Sequence, residues 1–283
     1  KPRIVGSKMY GRGAYDMKMA VACYILLLHE LKEHLSEMNI GLMLTSDEEI
    51  GGMKGVKRLL EAGYSSKVAI LPDGGFNWDF EEAAKGVLQV KITAHGVSAH
   101  SSRPWLGENA IDILMQALKK TQAYFEKEKP RYGSYFPTAN IGMIQGGKAA
   151  NQVPDYAEAL IDIRYPPEIT GAEIYSALAK ILEKDRRLSI EITAEGSPFH
   201  ADLQRLPFIK FKEIAKEMYG IEIGKTVSYG ASDARFFSER DIPVLVISPH
   251  GGDIHSTGEW VDLEDLTRFY NVLKKWAQNE NND

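Results

Sequence analysis

Four stretches of the chain carry acids and an imidazole of the types that bind a divalent metal and move protons. Asp16 closes Gly11-Arg12-Gly13-Ala14-Tyr15-Asp16, Glu48 and Glu49 follow Thr45-Ser46-Asp47, Asp73 lies in Pro72-Asp73-Gly74-Gly75, and His255 lies in Gly251-Gly252-Asp253-Ile254-His255-Ser256. Singly, each acid reads as a helix cap, a turn residue or part of a solvated loop. Jointly they concentrate negative charge at a cost that a cation would remove. Oxygen and imidazole donors suit zinc, with manganese or cobalt as substitutes. Adjacent glutamates on an extended loop point different ways, so one can bind metal while the other moves protons.

The elements that must position these loops follow from apolar spacing. Ala20, Val21, Tyr24, Leu27, Leu28 and Leu31 predict a helix over 17–34 with one buried face, which puts Asp16 at its entrance. Residues 40–45 and 68–71 are short apolar runs that end at the acids, and they read as buried strands separated by a helix over 53–62. Acids at strand ends fit an α/β fold: an open, mainly parallel sheet with helices on both faces and a site beyond its carboxyl edge. The pattern then changes to a strand over 87–94, a helix over 109–127, strands over 138–145 and 156–165, a helix over 171–184 and a strand over 188–194. That β-α-β-β-α-β order describes an inserted α+β domain. After Pro207 the alternation resumes, with a strand over 244–248 and a helix over 263–279. The expected organisation is a catalytic domain in two parts, 1–85 and 196–283, around a lid or dimerisation domain at 86–195, with fraying only after Gln278.

Length and composition agree with this organisation. A chain of 283 residues exceeds what one undivided core usually holds. With 44% hydrophobic and 26% charged residues and a net charge of -5, it has the make-up of a soluble globular protein and no electrostatic reason to bind nucleic acid. Cys23, the single cysteine, lies in an apolar helical run, so no internal disulfide can form and a buried, inert thiol in a reducing cytoplasmic setting is expected. No uncharged apolar run approaches the ~20 residues that span a bilayer, and no membrane partner or signal peptide is indicated. The chain opens at Lys1 and meets its first motif ten residues later, so further sequence upstream is expected.

Three motifs carry a resemblance: Gly11-Arg12-Gly13-Ala14-Tyr15-Asp16-Met17-Lys18, Thr45-Ser46-Asp47-Glu48-Glu49-Ile50-Gly51-Gly52, and Gly96-Val97-Ser98-Ala99-His100-Ser101-Ser102-Arg103-Pro104. In type and order they resemble the zinc metallopeptidase and deacylase family of acetylornithine deacetylase, succinyl-diaminopimelate desuccinylase, aminoacylase and glutamate carboxypeptidase. The resemblance implies two zinc ions bridged by Asp16, one also held by Glu49 and His255 and the other by Asp73, with Glu48 as general base. It favours His255 over His250 as the late ligand, because small residues and then Glu259 come after it. The family's first metal histidine, in a His-x-Asp motif ahead of the Gly-Arg-Gly-Ala stretch, has no counterpart here, so the missing ligand is expected upstream of Lys1.

The chemistry implied by the resemblance is hydrolysis of an amide bond in an N-acyl amino acid or small peptide. A pair of ions lowers the pKa of a water, and Glu48 takes its proton and returns it to the leaving nitrogen. His100 would donate to the oxyanion, from the partner subunit of a homodimer. Asn151 matches a substrate-reaching position, and Arg235 offers either a bidentate contact to a substrate carboxylate or a structural salt bridge. Arg103 and Arg164 can simply pair with nearby acids, and His29, His34, His95 and His200 have structural or surface roles. A catalytically inactive binding or regulatory homologue with an incomplete metal site is the alternative reading.

Overall fold

The computed structural model describes residues 1–280. It divides into two compact units, the first made of Lys1–Ala83, Phe199–Ser228 and Ser232–Asp283, the second of Ala84–Pro198 and Tyr229–Ala231. The mixed α/β class with open sheets expected from the sequence is the one adopted.

In the first unit, strands Arg3–Val5, Lys8–Tyr10, Trp260–Asp262 and Gly251–Gly252 form an antiparallel sheet in that order, which sets the loop after Tyr10 beside the loop that carries His255. Ala69–Leu71 pairs in parallel with Val244–Val246, so Asp73 leaves the carboxyl end of a strand as anticipated. The helix Lys18–Glu30 buries Met19, Ala20, Cys23 and Leu27, and the Tyr24 hydroxyl donates to Ile70 O at 2.8 Å, tying helix to strand. Aromatic rings close the core: Phe80 meets Phe208 at 5.2 Å between centroids, and Phe211 meets Trp276 at 6.0 Å. Cys23 is buried, and burial pushes its thiol up to about 12, which matches the inert role.

Residues 40–45 depart from expectation. They join no ladder, and Leu42 and Leu44 are 37% and 55% exposed. A strand exists only by virtue of a partner, and an apolar run announces burial without naming what it would pair with. The first helix also ends at Glu30 rather than His34, giving way to turns and a short 3-10 segment Leu35–Glu37.

The second unit follows the anticipated β-α-β-β-α-β order. Its antiparallel sheet runs Leu188–Gly196, Gly86–His95, Tyr156–Tyr165, Thr138–Gly146, with helices Ala110–Glu128 and Gly171–Leu182 packed on it. Both helices begin at side-chain caps. Asn109 accepts from Ile111 N and Asp112 N, and Thr170 with Glu173 forms a reciprocal capping box. Strict alternation along Tyr156–Tyr165 buries Ala157, Ala159, Ile161 and Ile163 against the helices. Lys85 is buried in this unit, donating to Phe136 O at 2.5 Å with the Tyr135 and Tyr229 rings about its ammonium, and burial lowers its pKa. The last helix, Leu263–Glu280, runs past Gln278, and the remainder of the segment expected to fray lies outside the described residues.

Ile161 is 1% exposed at the centre of the second core. Ile161→Ala should destabilise by about 2–5 kcal/mol, read as a lower urea midpoint at unchanged slope.

Candidate metal centre

Each loop of the site is held from behind before its acid faces forward. Gly13, at φ +76°, turns the chain so that three amides of one loop point at one buried carboxylate: Gly13 N donates to Glu259 Oε2 at 2.9 Å, and Tyr15 N and Asp16 N donate to Oε1 at 2.9 and 3.0 Å. Tyr15 is buried, its hydroxyl donates to Pro249 O at 2.8 Å, and its ring lies where a Cβ on Gly251 would sit, which is why that position is glycine. The cap of the first helix is Met17, so the Asp16 carboxylate is not spent on helix capping.

The Glu48–Ile50 turn hangs on Asp47, whose Oδ2 accepts from Lys54 N and Gly55 N at 2.8 Å each. Arg235 holds it from the other side by donating to Gly51 O at 2.7 Å. Behind Asp73, the buried Glu81 lies against Gly74 and accepts from Gly75 N, while Ser248 Oγ donates to Gly74 O at 2.8 Å. His255 itself sits at φ +59°, an uncommon conformation for a side chain with a Cβ, which persists where the surroundings over-determine it.

These anchors bring Asp16, Glu49 and His255 together. His255 Nε2 is 2.9 Å from Asp16 Oδ2 and 3.4 Å from Glu49 Oε1, and one ligand atom from each of the three residues lies within 4.8 Å of the others. Donors bound to a tetrahedral ion at about 2.0–2.2 Å stand roughly 3.3–3.6 Å apart, so the set fits a single divalent ion such as zinc. Asp73 is within hydrogen-bonding reach of Asp16. No other group of three such donors occurs among the described residues. His250 is engaged elsewhere, its Nδ1 lying 2.6 Å from Asn77 Oδ1 and its ring edge-on to Trp260.

The electrostatics are those of a site short of positive charge. Burial, then the negative charges of Asp233, Glu49 and Asp16, push Glu48 up to about 7, against the opposing pull of Arg235. Burial and the charges of Glu48 and Asp16 raise Asp73 as well. Asp233 is buried with neither carboxylate oxygen hydrogen-bonded, and Arg235 Nη2 stands 3.9 Å away. Burial works to raise Glu259 too, but its backbone N–H donors and Arg12 outweigh it and hold that carboxyl below the usual range.

The remaining expected residues fall in two places. Arg235, for which a substrate contact or a structural salt bridge was expected, is 6% exposed; its guanidinium donates to Ser232 O and Gly51 O and stands 3.9 Å from Asp233 Oδ1. His100 and Asn151 belong to the second unit, where Ala99–His100 pairs with Gln152–Val153 and Ser101 N donates to Asn151 O at 3.0 Å. Ser102 N donates to His100 Nδ1 at 3.2 Å, which makes Nδ1 an acceptor and leaves the proton of the neutral ring on Nε2. Arg164 pairs with Asp162 at 2.7 Å. Sequence reasoning gave no role to Glu81 and Asp233, and used Glu259 only as a marker for His255. The carboxylate role of Glu259 emerges only from the amides of Gly13, Tyr15 and Asp16 that converge on it.

Loop carboxylates converging on an imidazole, in an α/β scaffold, form a donor set of the kind metal-dependent hydrolases use. A family model for peptidase family M20/M25/M40 matches residues 1–279, and the chain belongs to that family. Membership makes it a metallopeptidase-class hydrolase and implies a divalent metal. It is 28% identical to a succinyl-diaminopimelate desuccinylase of Psychromonas ingrahamii, over 96% of this chain and 75% of that one. It is 30% identical to a probable carboxypeptidase of Aspergillus clavatus, over 93% of this chain and 64% of that one. Its fold is similar to the crystal structure of aminopeptidase PepT from Bacillus cereus, with a TM-score of 0.78 at 23% identity, covering 98% of this chain and 75% of that one. Among the described residues no helix is long and apolar enough to cross a membrane.

The buried Glu81 supplies a test of these electrostatics. Burial raises its carboxyl from the ordinary 4.5 to about 7, and Gly75 N–H offsets only part of that. A folded pKa above the unfolded one means the full benefit is present below 4.5 and is lost as pH rises to about 7. Glu81→Gln should therefore stabilise at pH ~8 by on the order of 2–3 kcal/mol and change little at pH ~4, as read from melting curves.

Proposed function

We propose that the protein hydrolyses the amide bond of an N-acyl amino acid or small peptide at a zinc site, with Glu48 as general base. The observation that carries this reading is the approach of His255 Nε2 to Asp16 and Glu49, at 2.9 and 3.4 Å, with Glu48 adjacent on the same turn. Asp16, Glu49 and His255 would hold one ion, and Asp16 with Asp73 would contribute to a second; cobalt or manganese suits the same donors. Bound there, the metal supplies Lewis acidity toward a carbonyl and toward water.

The chain's own residues do the rest. Glu48 accepts the proton of the attacking water and passes it to the leaving nitrogen, which departs as an amine rather than as its anion. Its desolvated setting suits a group that must both take and give a proton near neutral pH. His100, with the Nε2 proton left by the Ser102 contact, is assigned as donor to the developing oxyanion in the site of the partner subunit, and Asn151, next to the same ladder, as a substrate contact. Arg235 acts by holding the Glu48–Ile50 turn.

A homodimer is part of the proposal. It is supported by the edge strand Thr138–Gly146, which carries no charged residue and leaves Met143 and Ile144 62% and 56% exposed, a surface suited to another strand. The alternative reading is an inactive binding homologue with an incomplete metal site. Zinc content separates the two, since less than one ion per chain counts for the binding reading.

Activity against N-acetyl amino acids, N-succinyl amino acids and dipeptides would name the substrate class. On the substrate so found, Glu48→Ala should keep its zinc and lose roughly 10²–10⁴-fold in kcat. Undiminished turnover in that variant removes Glu48 from the mechanism.

A further inference from the structure

We propose that Glu259 is a positioning residue of the metal site, a single carboxylate that fixes Asp16 and His255 relative to each other. The inference rests on the metal-site reading above and adds a residue to it that ligates nothing.

Glu259 is 1% exposed, so its charge is taken out of water and must be met by the protein. It is met almost wholly by one loop: Gly13 N on Oε2, and Tyr15 N and Asp16 N on Oε1, at 2.9, 2.9 and 3.0 Å. The main chain adds a fourth bond, from Gly11 N to Glu259 O at 2.9 Å. One donor is thus the amide of the ligand Asp16 itself, so the orientation of that residue is set by Glu259 with no intervening side chain.

The other end of the strap is His255, four residues earlier in the chain. Arg12 closes the ring, with Nη2 donating to His255 O at 3.2 Å and Nη1 standing 4.0 Å from Glu259 Oε2. The loop that bears Asp16 and the loop that bears His255 are therefore bonded through a common pair of side chains. Loosening that pair acts on the 2.9 Å separation between His255 Nε2 and Asp16 Oδ2, the distance that decides whether both can reach one ion. An acceptor-only group is required here: a primary amide in place of the carboxylate presents an N–H to at least one of the three backbone donors.

The test compares the complete protein with Glu259→Gln and Arg12→Ala by titrating zinc into metal-free samples, with far-UV circular dichroism and melting of the same samples. Glu259→Gln should fold, bind zinc ten- to a hundredfold more weakly and, when saturated with cobalt, show an altered visible absorption spectrum, the range typical for groups that orient metal ligands. Arg12 is 61% exposed, so Arg12→Ala tests the strap without disturbing a core and should weaken zinc at least threefold even if Glu259→Gln does not fold. Zinc affinities within twofold of the unaltered protein in the folded variants, whatever the change in melting, would overturn the proposal and leave Glu259 a loop anchor. Failure of the unaltered protein to bind zinc would instead remove the metal-site reading, and this proposal with it.

Discussion

Negative charge crowded into a half-buried space is the constraint to which the first unit answers. Glu48, Asp73 and Asp233 are all driven upward by burial and by the fields of neighbouring acids, Asp47 in the case of Asp233, and Arg235 offsets only part of the sum for Glu48 and Asp233. A fold does not hold such groups together for its own stability. The uncommon backbone conformations at Asp253 and His255, at φ 56° and 59°, are part of the same expense, incurred where the ligand loop must turn.

The way the expense is met is a second rank of acids behind the first. Asp47, Glu81 and Glu259 each accept backbone N–H groups from the loop in front, and so fix Glu48 and Glu49, Asp73, and Asp16 respectively. Asp47 and Glu259 are well supplied with backbone donors, whereas Glu81 has the Gly75 amide and leaves Oε1 unpartnered. Those in front face one another, and their shortage of donors is what a cation would make good. Ligand geometry is thereby set by backbone hydrogen bonds, the stiffest link the chain has, rather than by rotamers of exposed side chains.

The same division separates the features that the sequence disclosed from those it hid. Local signals were legible: the strand over 156–165, the helices that begin near Asn109 and Gly171, and the acid at a strand end, Asp73. So was the grouping of Asp16, Glu49 and His255, since it rested on residue type and motif order. Hidden from it were relations across long separations. Arg235 advertises a charge that any carboxylate could use, and only the tertiary structure shows it spent on Gly51 O. Glu259 enters the sequence reading only as the acid that follows His255, and its hold on the Asp16 loop shows when three amides are found pointing at it. Residues 40–45 failed for the same reason, because hydrophobicity promises burial and does not specify a neighbour.

Those six residues, Ile-Gly-Leu-Met-Leu-Thr, bear on how the molecule behaves in a crowd. They are uncharged, proline-free and partly exposed, the composition from which intermolecular cross-β stacking is built. Just beyond them, after Ser46, stand Asp47, Glu48 and Glu49, and charges flanking an apolar run are the ordinary means of keeping chains from stacking on it. Carboxylates of the candidate site thus stand where gatekeeping charges would, and their mutual repulsion opposes the pairing of this run between chains.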